Sequence, residues 1–242
     1  MKKKQEIALK ISPQPTETTC GPTCLHAVYT YYGLNLSIDE IIDEVPSLED
    51  GGTIAVMLAQ HALRNGFHTK IYTYNLGIFD PTWFQPNQLN PESLQIKLKE
   101  RGKKKSKKHI KLACQAYIDY LSLGGELRMH ELDHQLIRTY LKKGIPILTG
   151  LSSTYLYQSE RVYYDGETHF LDDVMGDPEG HFVVLESYDS HTRTVTVLDP
   201  YQQNPYSEEL KYTIDIDRLI NSILLGVLTH DANLLIVEKS DS

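Results

Sequence analysis

Cysteine is scarce: Cys20, Cys24 and Cys114 are the only three in 242 residues. So small and odd a number excludes a disulfide framework. It makes a reducing compartment the default, in which a special cysteine is reactive rather than structural. Positive charge is also short, with 24 Lys and Arg against 32 Asp and Glu, a net charge of −8. That balance repels a phosphate backbone and argues against a general nucleic-acid binder. Long apolar runs are missing: clusters such as ILLGVL at 223–228 fall far short of a membrane span. The basic start, MKKKQEIALKISPQPTETT, is followed by no apolar stretch of signal-peptide length. These absences lead to the expectation of a soluble, cytoplasmic protein. The composition itself, 40% hydrophobic and 23% charged, is that of a globular chain able to bury a core without metal or disulfide staples.

Periodicity sets the order of elements. Leu25, Val28, Tyr29 and Tyr32 recur at helical spacing within 20–33, where Pro22 suits a first turn and Gly33 a C-terminal cap. Ser37 and Glu40 form a capping-box pattern opening a short helix through about Val45. A third helix is expected over 51–66 and a strand over 68–74. Farther on, the pattern predicts a helix from about His130 to Lys143, a buried strand at 145–150 and a tyrosine-rich loop at 152–180. A hairpin of 181–188 and 194–200, a helix from Asp215 and a strand at 233–239 follow. Helices first and strands late argue for an α+β fold. No linker splits the chain, so residues 1–242 read as one domain with an insertion at about 75–128.

That insertion holds KLKERGKKKSKKHIK, 97–111, with nine of the 24 basic residues. The block reads as a solvated lysine-rich face or loop. No aromatics interleave to stack bases, so a protein partner is the better candidate if anything binds there.

The chemistry gathers at four residues. Cys20 stands where the polar stretch TETT meets a helix start. The unpaired N–H groups and partial positive charge there favour a thiolate nucleophile. Cys24, one turn further in beside Leu25 and Val28, reads as a small core residue. A thiolate nucleophile needs a base, and His181 opens a strongly apolar strand after Gly180. Asp199 ends the next strand before Pro200. A five-residue turn centred on His191 would set Val183 opposite Asp199, putting Asp199 diagonally beside His181 on one face, within hydrogen-bonding reach. An acid there fixes the imidazole tautomer and stabilises imidazolium. Gln14 lies six residues before Cys20, between Pro13 and Pro15. Its amide and the Cys20 backbone N–H would together form an oxyanion hole. None of this requires a cofactor.

The segments QPTETTCGPTCLHAVYTYYG and GHFVVLESYDSHTRTVTVLDP resemble the two signature motifs of the C39-like cysteine peptidases of the papain-like superfamily. In that family a Gln stands six before a nucleophile that is followed by Gly, and the order is Gln, Cys, His, Asp. KKGIPILTG is similar to the family's helix-to-strand step before the His. The resemblance spans about 10–70 and 130–205. It implies a papain-like α+β fold, the Cys helix packed on an antiparallel sheet that carries His181 and Asp199. Thr19 departs from the pattern, since an Asp often precedes the nucleophile. The best-known members are fused to an ABC exporter and cut leader peptides after a double glycine. With no exporter in this sequence, the resemblance implies only amide-bond chemistry at Cys20.

A second motif competes. His130-Glu131-Leu132-Asp133-His134 matches H-E-x-x-H, which on one helix would place two His on one face for zinc. Asp133 inside the motif, no obvious third ligand and a helix start near His130 weigh against it. His26, His61 and His109 are read as solvated. Tyr155, Tyr157, Tyr163 and Tyr164 are read as a loop packed on the sheet, with a substrate groove as the alternative. The leading reading is a thiol peptidase or amidase acting on a peptide or amide substrate through a Cys20 acyl-enzyme. An acyl transferase, a catalytically idle peptide-docking module and a zinc peptidase are the alternatives.

Overall fold

The computed structural model describes residues 9–48 and 51–239. Helices come first: α1 (Cys20–Tyr32), α2 (Ile38–Glu44) and α3 (Ala55–Arg64). Gly33 ends α1 at φ 82°, a left-handed conformation that suits glycine. The capping box is present, with Ser37 accepting from Glu40 N and Glu40 accepting from Ser37 N. Helix α3 begins four residues later than expected. Ile54 at its N-cap has no side-chain oxygen, and Asp231, far away in sequence, accepts from Ala55 N at 3.1 Å instead. Burial pushes the Asp231 carboxyl up to about 8, with the Ala55 and Asn233 hydrogen bonds opposing.

The strands are β1 (Phe67–Thr73), β2 (Glu126–Arg128), β3 (Ile147–Ser152), β4 (Val162–Tyr164), β5 (His169–Leu171), β6 (Gly180–Asp189), β7 (Thr194–Leu198), β8 (Lys211–Asp215) and β9 (Asn233–Lys239). Seven of them form one sheet in the order β2-β1-β9-β3-β6-β7-β8, antiparallel except for the β1–β2 pair. The remaining helices are α4 (Pro91–Lys104), α5 (Lys108–Ser122), α6 (His134–Leu141), α7 (Ser153–Tyr157) and α8 (Ile216–Leu225).

Strand alternation sends buried residues to two cores. Leu148, Val184 and Leu235 join the core built with α1 to α5. Ile147, Val183, Leu185 and Ile236 join the core built with α6, α7 and α8. The sheet is therefore covered on both faces, an α+β architecture with the Cys20 helix packed on a mostly antiparallel sheet. Segment 91–122 is a helical pair whose Leu94, Leu98, Cys114 and Tyr120 lie in the same core as α1. The lysines of 97–111 ride on the end of α4, the link and the start of α5.

Three local expectations need correction. The helix predicted from His130 starts at His134, because Asp133 caps it by accepting from Leu136 N at 2.8 Å. The 152–180 stretch is not a plain loop: it carries α7 and the separate β4–β5 hairpin. The β6–β7 turn has four residues, since Asp189 pairs with Thr194. A bulge at Glu186 absorbs the difference and sets Val184 opposite Leu198, so the continuing register still puts Val183 opposite Asp199.

Candidate active site

Helix α1 opens without a side-chain cap. Thr19 turns its hydroxyl back to Thr16 O at 3.0 Å. Pro22 has no N–H, and among the described residues neither the Cys20 nor the Gly21 N–H has a protein acceptor. The helix start therefore presents free donors and its partial positive charge beside the Cys20 sulfur, which is partly exposed. Gly21 lets α1 come close to its neighbours: a Cβ there would lie 2.8 Å from Thr53 and 3.2 Å from Phe182.

His181 is the second residue of β6, opposite Leu151 of β3. Its Nε2–H donates to Asp199 Oδ1 at 2.8 Å, which leaves Nδ1 as the nitrogen hydrogen-bonded to Cys20. Burial disfavours the charged ring. The Asp199 and Cys20 charges and their hydrogen bonds outweigh it and push the imidazole up to about 10. The balance of these interactions favours the charged ring.

Asp199 is fully buried yet keeps its charge because four donors surround it. Oδ1 accepts from His181 and from Tyr201 N at 3.0 Å. Oδ2 accepts from Tyr157 and Tyr212, each at 2.8 Å. Burial raises the carboxyl. The His181 charge and hydrogen bond outweigh it, with help from Tyr201 and Tyr157, and hold it below the usual carboxylate value. Both tyrosines are pushed upward, first by burial and then by Asp199, so they remain protonated donors.

Gln14 lies on the segment leading to Cys20. Its backbone N donates to Pro200 O at 2.9 Å, which ties this segment to the residue after Asp199. The side-chain Nε2 gives one N–H to Thr16 O at 2.9 Å, and Oε1 is buried without a partner. The structure thus brings Cys20, His181 and Asp199 into one hydrogen-bonded line and stitches the Gln14 segment to its far end.

The Peptidase C39 family model matches residues 8–90, and the Peptidase C39-like family model matches 103–219. The chain belongs to the C39-like cysteine peptidase family. Among solved structures, a C39-like peptidase from Bacillus anthracis is 12% identical, with a TM-score of 0.50 over 97% of this chain and 96% of that one. This likeness is one of fold. Xylellain, a cysteine protease from Xylella fastidiosa, is 13% identical, with a TM-score of 0.45 over 97% of this chain and 84% of that one. The peptidase domain of Streptococcus ComA, a bi-functional ABC transporter, is 14% identical, with a TM-score of 0.43 over 96% of this chain and 99% of that one. A search of curated proteins returned no match.

Within the C39-like fold, the other conspicuous residues find structural places. Cys24 is buried and donates to Phe182 O at 3.3 Å; burial first, then Cys20 and Asp199, raise its thiol. Cys114 is buried and raised by that burial. His130 is exposed and outside α6, so the H-E-x-x-H spacing does not place two His on one helical face. His61, expected to be solvated, is buried instead, with Nδ1 2.8 Å from the Tyr29 hydroxyl and Nε2 3.1 Å from Glu44. His109 is half-buried against His230, and His26 is also half-buried.

Tyr157 and Tyr212 are the site residues that sequence reasoning missed. Tyr157 was grouped with a tyrosine-rich loop. Tyr212 belongs to a strand, β8, that had no expectation attached. The alternation of Tyr212 and Ile214 with exposed residues was the available signal for that strand, but it says nothing about a carboxylate 13 residues earlier in the chain. Among the described residues no helix is long and apolar enough to cross a membrane.

Proposed function

We propose that the protein hydrolyses a peptide or amide bond through an acyl-enzyme on Cys20. The observation that carries this reading is the single imidazole of His181, bonded to Asp199 through Nε2 and to Cys20 through its other nitrogen. In this reading the Cys20 thiolate attacks the substrate carbonyl carbon. The Cys20 backbone N–H and the second N–H of the Gln14 amide receive the developing oxyanion. His181 gives its Nδ1 proton to the leaving amine, which departs as the C–N bond breaks. The neutral imidazole then takes a proton from water as the hydroxide adds to the thioester, and Cys20 leaves as thiolate, again paired with imidazolium. Asp199 stays ionised throughout and keeps the ring in its tautomer. Three free cysteines suit a reducing compartment, and we place the activity in the cytoplasm.

The test is iodoacetamide labelling by site, combined with turnover of a panel of small amide and peptide substrates. Cys20 is expected to label fastest, and Cys20→Ser to abolish turnover with the fold intact. Equal labelling of Cys20, Cys24 and Cys114, or turnover that survives Cys20→Ser, overturns the reading.

A further inference from the structure

Residues 158–179 leave the body of the fold between two points of the catalytic constellation. Tyr157, just before them, donates to Asp199 at 2.8 Å. Glu179, at their end, lies within electrostatic reach of His181 and Glu17, and its carbonyl accepts from Ser153 N at 3.0 Å. Between these points the chain forms the β4–β5 hairpin. It is closed by a Val162–Asp177 bridge and an Asp172 N to Arg161 O bond at 2.9 Å. The hairpin joins no other sheet.

This arm carries the wrong surface for an element with no partner. Leu171 is 59% exposed, Val174 76% and Met175 61%, and Tyr164 and Phe170 are also exposed. A two-stranded hairpin is marginal by itself, and clustered apolar side chains of this kind mark contact surfaces. The charge is one-sided. Glu160, Asp165, Glu167, Asp172, Asp173, Asp177 and Glu179 face a single cation, Arg161, which is spent on Asp173 O. Asp165 and Asp172 are bound by backbone N–H groups of their own turns, which hold both carboxyls below the usual value and keep them charged.

We propose that this arm is a docking surface for a cationic, amphipathic segment of the polypeptide substrate. The inference rests on the peptidase reading above. Apolar side chains would supply the contact, and the carboxylates would select Lys and Arg and speed the encounter. An anionic membrane surface is repelled by the same carboxylates. Because Tyr157 at one root of the arm bonds Asp199 and Glu179 at the other lies two residues from His181, a chain lying on the arm would run toward Cys20.

The experiment uses the full chain with Cys20→Ser and a fluorescein-labelled 18-residue peptide of Lys and Leu, beside its Glu and Leu counterpart. Anisotropy should show the Lys peptide binding at least about tenfold tighter than the Glu peptide, with affinity falling as salt rises. Leu171→Ser with Met175→Ser, and separately Glu160→Lys with Glu167→Lys, should each weaken the Lys peptide about tenfold. Neither pair should change iodoacetamide labelling of Cys20 in the chain that retains it. In that chain, saturating Lys peptide should slow Cys20 labelling several-fold. Equal binding of the two peptides, or no loss in either variant pair, overturns the docking surface. Binding without protection of Cys20 overturns the substrate assignment. Sedimentation showing self-association that the arm variants abolish, with peptide binding unchanged, assigns the arm to a second copy of the chain instead. Failure of the small-substrate and labelling tests sinks the peptidase reading but leaves the peptide-binding result readable.

Discussion

The Tyr212 hydroxyl donates to Oδ2 of Asp199 at 2.8 Å, from the edge strand β8 into the interior beside the His181–Asp199 pair. With Tyr157 on the same oxygen, Asp199 is a buried carboxylate that stays ionised because its surroundings are all donors. Tyr212→Phe removes one such bond to a charge, and an unfolding midpoint in urea should report a loss of about 1.5–3 kcal/mol. Turnover should fall less than in Asp199→Asn, since Tyr157 still holds Oδ2. A variant with both tyrosines changed to Phe that keeps wild-type stability would mean the two hydroxyls contribute nothing.

Gln14 separates oxyanion chemistry from loop architecture. Its backbone bond to Pro200 O survives in Gln14→Ala, so the segment before Cys20 keeps its anchor. Turnover should drop roughly 10²–10³-fold. Alkylation of Cys20 builds no tetrahedral oxyanion and should proceed near the wild-type rate. His181→Ala should slow both. If Gln14→Ala suppressed alkylation as strongly as His181→Ala, the amide would be holding the loop rather than stabilising charge.

The raised His181 value, about 10 against an ordinary 6.5, has a sign for stability. Below pH 6.5 the ring is charged in the folded and unfolded chains, and its interaction with Asp199 counts in full. As pH climbs from 6.5 through about 10, the unfolded chain releases its proton first, so this share of stability is lost. Chemical denaturation across that window should show wild type declining relative to His181→Gln. An imidazole that titrates near 6.5 by NMR would remove the ion pair from the mechanism.

Gly21 tests the fit of α1 on the sheet. A methyl at this position would lie 2.8 Å from Thr53, 3.1 Å from Leu58 and 3.2 Å from Phe182. Gly21→Ala should destabilise by about 1–3 kcal/mol and slow Cys20 alkylation, because overpacking moves the helix start away from His181. Unchanged stability together with unchanged alkylation would show that the side chains of Thr53 and Leu58 yield freely.

Much of the site was legible because its signals are local or strand-periodic. Pro22, Gly33 and the Ser37–Glu40 box mark helix ends by backbone chemistry that a few residues suffice to state. The His181–Asp199 register was legible only in its end result. A five-residue turn was the expectation, whereas a four-residue turn and a bulge at Glu186 reach the same offset. Glu186 gives no sign of this in sequence, since its side chain is fixed from outside the hairpin by Leu9 N and Lys211.

By itself the sequence determined the helical start at Cys20, the apolar strands that carry His181 and Asp199, and the family resemblance that orders them. Each follows from spacing along one element. Tertiary structure alone decided the donors around Asp199, the capping of α3 by Asp231 and the burial of His61 between Tyr29 and Glu44. A buried polar group must be satisfied by whatever donor or acceptor packing brings to it. That partner is chosen by the meeting of elements far apart in the chain, which no local pattern of residue types encodes.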